Sequence, residues 1–175
     1  MKKIQYLFAK VRSKIFKNNE IINDYFRKQG ITLGEKCKIY SNILSSEPYL
    51  ITIGDNVTFS NDVQLINHDN SICKIHPDKT DVFGKIKIGN NCFIGARVTI
   101  LYGVELADDV IVAAGSVVTR SFNESRIIIG GNPAKKIGDW DTFAEKVSYN
   151  ALNIEGLSSL EKKNMIFDDR ILIKK

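Results

Sequence analysis

The protein's two histidines, His68 and His76, lie in one polar stretch, LINHDNSICKIHPDKTD at residues 65–81. Imidazole is suited to proton transfer near neutral pH, because its unperturbed pKa is about 6.5. A zinc site of three histidines is disfavoured, since the chain has only these two. His76 precedes Pro77, which favours an extended or turn conformation, and we interpret His76 as a surface residue. His68 is the candidate for acid–base chemistry.

Composition limits the classes of protein to which this chain can belong. Its 175 residues, 43% hydrophobic and 26% charged, are typical of one soluble globular domain. The sequence has neither a run of about 18 apolar residues nor a signal-peptide pattern, and Cys37, Cys73 and Cys92 form no CxxC pair. We therefore expect free thiols and a cytoplasmic protein. The net charge of +5 favours anionic small molecules such as a phosphorylated cofactor, and we expect no nucleic-acid partner.

Around the polar stretch, aliphatic residues recur every six positions. From residue 88 onward they are Ile88, Ile94, Ile100, Leu106, Val112 and Val118. Neither a helix nor a simple strand alternation has this period. Six residues suit one face of a three-faced coil, so 18 residues make one turn, and stacked turns lie about 4.8 Å apart. We predict that Ile88 stacks on Leu106, Ile94 on Val112 and Ile100 on Val118, with the aliphatic side chains inside.

The same rhythm is present earlier, at Leu33 and Ile39 and again at Ile53, Phe59 and Leu65. Between Leu65 and Ile88 the spacing is 23 residues, which is not a multiple of six. A segment of about residues 66–85 therefore leaves the coil as a loop, and this loop contains both histidines.

The segments GNNCFIGA, AAGSVVT and GGNPAKKI carry a resemblance to a known family. The chain resembles the hexapeptide-repeat acyltransferases, in their sugar and antibiotic O-acetyltransferase branch, over roughly residues 31–138. The resemblance implies a mainly β fold, a left-handed parallel β-helix of hexapeptide repeats. The general preference for right-handed crossovers would predict the opposite hand, so the handedness comes from the resemblance alone.

The resemblance also implies an activity. Members transfer an acetyl group from acetyl-CoA to a hydroxyl, usually of a sugar, without a metal, and work as homotrimers with active sites between subunits. Here the sugar would belong to a cell-surface polysaccharide or its precursor. Acetylation of an antibiotic or another small molecule, and N-acetylation of an amino sugar, remain open alternatives.

By the same resemblance, Asn67-His68-Asp69-Asn70 occupies the position of the family's catalytic histidine motif. A hydroxyl is a poor nucleophile, and His68 would take its proton as general base. Asp69 is a candidate for orienting the ring, and a backbone N–H of the Gly95-Ala96 turn is a candidate for the oxyanion. Asn67 and Phe93 are candidates for acceptor binding, although many relatives have Trp in place of Phe93.

Acetyl-CoA is expected in a groove between subunits, where small side chains let its pantetheine arm approach the backbone. Arg120, Lys135 and Lys136 are expected near its phosphates. The full set of expected cofactor contacts is Ala96, Ala113, Ala114, Gly115, Thr119, Arg120, Lys135, Lys136 and Gly138.

The two ends lack the sixfold rhythm. Residues 1–30 contain apolar residues at helical spacing, so we predict one amphipathic helix that caps the open end of the coil rather than binding a membrane. The apolar positions are Ile4, Leu7, Phe8, Val11, Ile15 and Phe16. Residues 139–175 form a C-terminal extension, for which we predict one or two helices, split near Gly156, and a final strand at 171–173. A non-catalytic repeat scaffold would explain the coils but neither the loop nor the NPAKKI ending.

Overall fold

Most strands in the described part of the chain are only two or three residues long. The computed structural model describes residues 2–167 and 172–173. The chain divides into two units, residues 1–137 and 138–175.

Three sheets, named A, B and C, are made of parallel strands, except that the last strand of sheet B follows its neighbour after a two-residue connection, which allows only an antiparallel pair. Sheet A consists, in spatial order, of β1 (Thr32–Leu33), β3 (Ile51–Ile53), β8 (Ile86–Ile88) and β11 (Glu105–Leu106). Sheet B consists of β2 (Lys38–Ile39), β4 (Thr58–Phe59), β9 (Phe93–Ile94), β12 (Ile111–Val112), β14 (Ile127–Gly131) and β15 (Ala134–Asp139). Sheet C consists of β5 (Gln64–Ile66), β10 (Thr99–Leu101) and β13 (Val117–Val118).

The chain visits the three sheets in rotation, which defines a coil with three faces. Strands β8, β9 and β10 lie in A, B and C, and β11, β12 and β13 repeat that order. The aligned pairs are Ile88 with Leu106, Ile94 with Val112 and Ile100 with Val118. The predicted stacking is therefore confirmed. All six of these aliphatic residues are buried.

A ladder of polar side chains fixes the corner between sheets A and B. Asn56 Nδ2 donates to Asn91 Oδ1, and Asn91 Nδ2 donates to Asp109 Oδ1, both at 2.7 Å. All three residues have positive φ angles, 54° to 59°, a conformation that Asn and Asp tolerate better than most residues. The turn chemistry thus repeats in each successive coil and keeps the coils in register.

The N-terminal helices differ from the prediction. Instead of one helix there are two, α1 (Lys2–Phe16) and α2 (Glu20–Lys28), separated at Lys17, whose φ is +49°. A bulky residue in this left-handed conformation cannot continue an α-helix.

Helix α2 covers the first coil. Its Phe26 is fully buried, and its polar side chains bond carbonyls at the edge of the coil. Asn23 Nδ2 donates to Cys37 O at 3.0 Å, and Arg27 Nε donates to Leu33 O at 2.9 Å. Capping is thus done by α2. The prediction that the apolar positions of α1 cover the coil is wrong, because those residues are exposed.

The second unit contains two short helices, α3 (Trp140–Val147) and α4 (Ser159–Ile166), on either side of Gly156. Asp139 caps α3 by accepting from Thr142 N, and Ser158 and Glu161 form a capping box at the start of α4. Residue 171 of the predicted final strand lies outside the described residues, and 172–173 are not in a strand.

Candidate functional site

His68 lies at the point where the chain leaves the coil. It follows β5 of sheet C and belongs to β6 (His68–Asp69), which pairs antiparallel with β7 (Val82–Phe83). Gly84 N donates to Asn67 O at 3.0 Å and closes the base of this excursion, which we define as residues 67–84. The strand pair holds His68 in a defined position, while His76 is exposed farther along the excursion.

The imidazole of His68 is paired with a carboxylate from another segment. Its Nδ1 lies 2.9 Å from Glu47 Oε2, and the side chains are 36% and 19% exposed, respectively. With the carboxylate as acceptor, Nδ1 carries the ring proton and Nε2 keeps a free lone pair. The Phe83 ring lies beside the imidazole, with 6.0 Å between centroids. This arrangement orients the imidazole and leaves Nε2 able to accept a proton.

Asn67 holds the segment that carries Glu47. Its Nδ2 donates to Glu47 O at 2.6 Å and to Ser45 Oγ at 2.8 Å. Asn67 is 0% exposed, so it has no surface for the acceptor contact that the sequence analysis predicts. Asn67, which directly precedes His68, instead connects this part of the chain to the backbone of Glu47. A cavity of about 450 Å³ lies between residues 44–46 and 65–68.

Glu47 is not among the site residues predicted from the sequence. The available signal was a second break in the rhythm, since Ile39 and Ile53 are 14 residues apart, which is not a multiple of six. Glu47 lies in that break, just before a 3₁₀ turn at Pro48–Leu50. Its pairing with His68, 21 positions away, depends on the tertiary structure.

Asp69 was the predicted orienting group, but its hydrogen bonds go elsewhere. Oδ1 accepts from Ser71 N at 2.8 Å, and Oδ2 accepts from Tyr102 OH at 3.4 Å. The bonds from Ser71 lower the pKa of Asp69, with smaller contributions from Tyr102 and the charge of His68. Asp69 therefore fixes the start of the excursion, while Glu47 contacts the ring.

The Gly95-Ala96 turn follows β9 of sheet B and lies at the corner between sheets B and C. Gly95 N already donates to Val112 O at 2.9 Å, so this amide belongs to the sheet. A Cβ at Gly95 would lie 2.6 Å from Ala114 N, which shows how closely successive coils approach here. Ala96 O accepts from Gly115 N at 2.8 Å, so the two turns are stacked.

The expected cofactor residues fall into separate groups. Ala96 and residues 113–115 share the corner between sheets B and C, while Thr119 and Arg120 are exposed after β13 of sheet C. The Arg120 guanidinium lies 5.3 Å from the Phe122 ring centroid. Lys135 and Lys136 are exposed in β15, and the amine of Lys136 pairs with Glu124.

The last two expected contacts lie on sheet B strands. Gly138 is half-buried near the end of β15, in the second unit. Phe93 is 44% exposed and lies on β9 of sheet B. The strand that leads into His68 is β5 of sheet C, so the two residues lie on different sheets. Among the residues that the structure describes, no group of three or more His, Cys, Asp or Glu side chains could hold a metal ion.

Comparison with known proteins gives the family. The sequence profile described as "Hexapeptide repeat of succinyl-transferase" matches residues 85–120. "Protein CapG" of Staphylococcus aureus is 41% identical over 156 residues, covering 86% of this chain and 89% of that protein. Galactoside O-acetyltransferase of Escherichia coli is 27% identical over 135 residues, covering 77% of this chain and 65% of that enzyme.

Solved structures agree on the fold. A galactoside acetyltransferase in complex with coenzyme A covers 90% of this chain, with a TM-score of 0.58 and 21% identity. A hexapeptide-repeat acetyltransferase of Vibrio cholerae, complexed with acetyl-coenzyme A, covers 79%, with a TM-score of 0.55 and 21% identity. The chain belongs to the hexapeptide-repeat acyltransferase family and is an enzyme of that class.

Proposed function

We propose that the protein transfers an acetyl group from acetyl-CoA to a sugar hydroxyl, with His68 as general base. The observation that carries the proposal is the 2.9 Å contact between His68 Nδ1 and Glu47 Oε2, which leaves Nε2 as a proton acceptor. The names of the relatives support the reaction class, since one is a galactoside O-acetyltransferase. The sixfold coil is proposed to be left-handed, as in the family that it resembles.

The proposed reaction begins with proton transfer to His68. Nε2 of His68 takes the hydroxyl proton as the oxygen attacks the thioester carbonyl carbon, and a tetrahedral oxyanion forms. The C–S bond then breaks, the carbonyl reforms, and the imidazolium returns its proton to the departing sulfur. The products are an acetyl ester and the free thiol of CoA.

Glu47 and Asn67 are proposed to position the base. The Glu47 carboxylate holds one tautomer of the ring and stabilises the imidazolium that forms during attack, as the carboxylate of a catalytic triad does. Asn67 fixes the backbone of Glu47 through its 2.6 Å bond to the Glu47 carbonyl. This support makes the carboxylate a rigid partner.

The oxyanion donor is proposed to come from a second copy of the chain. Base and donor must both lie about 3 Å from the same carbonyl group. Within one copy of the chain, the Ala96 amide, which is the remaining candidate of the Gly95-Ala96 turn, lies where the chain enters sheet C. His68 lies where the chain leaves sheet C. The strand of sheet C that leads to His68, β5, has three residues and is about 10 Å long. Active sites between the subunits of a homotrimer satisfy both requirements.

Acetyl-CoA is proposed to lie along the stacked turns at Ala96 and residues 113–115, where small residues leave the backbone accessible. Arg120 and Lys135 are exposed cations available for its phosphates. Lys136 would have to leave Glu124 to join them.

For the acceptor we propose a sugar of a cell-surface polysaccharide or its precursor. Phe83, 57% exposed beside His68, offers an apolar surface for a sugar ring. An antibiotic or an amino sugar would meet the same base, so a panel of hydroxyl and amine acceptors with acetyl-CoA separates these cases.

The test is the variant His68→Ala, followed by thiol release from acetyl-CoA with a panel of sugars. We expect kcat/KM to fall about 10²–10⁴-fold, the usual contribution of a general base. The matched control is His76→Ala, which removes the exposed histidine of the same excursion and should leave the rate unchanged. Equal rates for His68→Ala and the unmodified enzyme would overturn the proposal. So would equal losses in both variants, because the base would then not be specific to His68.

A further inference from the structure

Helix α1 contacts the rest of its unit with its more polar side. The Tyr6 ring lies 6.0 Å from the Tyr25 ring and 6.1 Å from the Phe26 ring, measured between centroids. Ser13, farther along the same side, is buried, and its Oγ donates to Asn18 O at 2.8 Å. The contacts of α1 are thus made by one hydroxyl-bearing side.

The opposite side of α1 is apolar and exposed. Its residues recur at intervals of three and four and fall within about 100° of the helix circumference. They are between 46% and 68% exposed. We call them the apolar stripe: Ile4, Leu7, Phe8, Val11 and Ile15. A continuous exposed surface of this kind marks an interaction site.

Basic side chains border the apolar stripe. At 100° per residue, Lys10 and Lys14 lie on one flank and Arg12 on the other, and the helix sequence KKIQYLFAKVRSKIF contains no acidic residue. Lys10 and Lys14, together with Lys17, also line a cavity of about 460 Å³ next to Tyr40. The partner of this face should therefore be apolar in its interior and anionic at its surface.

We propose that α1 binds the surface of an anionic lipid bilayer, with the apolar stripe among the acyl chains and the flanking cations at the phosphates. This distribution is typical of helices that lie in a membrane interface. A second copy of the chain fits less well, because pairing two such helices brings like charges together. Within the described residues no helix is long and apolar enough to cross a bilayer, so α1 lies along the surface.

The test is sedimentation of the full chain with vesicles of phosphatidylcholine alone or mixed with phosphatidylglycerol. Binding is expected for the mixed vesicles and should weaken as salt is raised. The double variant Leu7→Gln/Phe8→Gln should bind about tenfold or more weakly. Its matched control, Leu160→Gln, changes a comparably exposed leucine outside α1 and should bind normally.

A charge variant, Lys10→Gln/Lys14→Gln, should weaken binding about fivefold for each lysine, and Lys146→Gln/Lys162→Gln serves as its control. Equal binding to both kinds of vesicle, or equal binding of the stripe variant and the unmodified chain, overturns the proposal. If the stripe variant changes only the sedimentation-equilibrium mass, the face is a contact between copies and the proposal is wrong. Thiol release, measured in parallel, should not change.

Discussion

The regular coils at residues 86–118 and the excursion at residues 67–84 belong to one chain, but different interactions hold them. In the coils, a buried aliphatic residue recurs every six positions, and the backbone is bonded to the coil on either side. The excursion exposes Val82 and Phe83 and is held by a two-residue strand pair and the bond from Gly84 N to Asn67 O. Stability therefore resides in the coils, and the polar groups suited to chemistry lie where the coil is interrupted.

The largest effect is expected from a substitution that shortens a buried side chain of the coils and leaves the excursion unchanged. Ile88→Ala should lower the free energy of unfolding by about 2–5 kcal/mol, because Ile88 is buried between neighbouring coils. Denaturant unfolding at one fixed protein concentration measures this change.

The control for Ile88→Ala is Lys87→Ala, on the exposed side of the same strand. It should change stability by less than about 0.5 kcal/mol. Activity per folded molecule should be unchanged in both. If Ile88→Ala abolished turnover without loss of stability, the division of roles between coils and excursion would be wrong.

The next prediction tests the role of Glu47, which lies outside the excursion and contacts His68. Glu47→Gln removes the carboxylate that contacts His68 and should lower kcat about 10–100-fold with little change in KM, because Glu47 acts through the ring. Steady-state kinetics give the split, and the ¹⁵N shifts of the His68 ring report a change of tautomer.

Glu47→Asp should recover part of the lost rate, and Glu105→Gln, an exposed glutamate on sheet A, is the matched control. A rise in KM at constant kcat would instead indicate that Glu47 binds substrate.

The last prediction concerns the cysteines, which are free in the described structure, with Cys37 and Cys92 buried and Cys73 exposed in the excursion. Burial raises the pKa of Cys92 from its ordinary value of 9.0 to about 11. The unfolded thiol ionises first, so this contribution to stability is complete below pH 9 and is lost as pH rises toward 11. Relative to Cys92→Ala, the native chain should lose about 2 kcal/mol over that window.

A thiol reagent should modify Cys73 rapidly in the folded chain and the two buried cysteines only on unfolding. Rapid modification of Cys92 would contradict the packed-coil description. A difference between the two chains that stays constant from pH 9 to 11 would contradict the pKa of Cys92.

The coils could be predicted from sequence because their order is local. The position of each aliphatic residue in the repeat indicates which face of the coil it belongs to. The residue 18 positions later stacks on it, as Leu106 does on Ile88. The break that holds His68 was visible for the same reason. The break that contains Glu47 was also visible, but its pairing with His68 was not predictable, because that contact joins two segments 21 positions apart in the chain.

The apolar stripe of α1 exposes another limit of sequence patterns. Periodicity identifies which side of a helix is apolar, but not whether the protein covers that side. Phe8 and Phe26 fit equally well into helical patterns, yet Phe26 is fully buried and Phe8 is 66% exposed. The difference arises from Asn23 and Arg27, whose bonds to coil carbonyls bring α2 rather than α1 onto the coil.

The side-chain ladder through Asn56, Asn91 and Asp109 has a consequence for how such a chain changes length. The middle residue, Asn91, receives a bond from Asn56 and gives one to Asp109, so an added circuit of 18 residues with Asn at this position would carry its own connection. Chain length can therefore change by whole circuits, whereas an insertion whose length is not a multiple of six cannot stay in the stack. Leu65 and Ile88 are 23 positions apart instead of six, and 23 − 6 leaves 17 additional residues, which leave the coil. The length of an insertion thus determines whether it can form another circuit of the coil or must form a loop outside it.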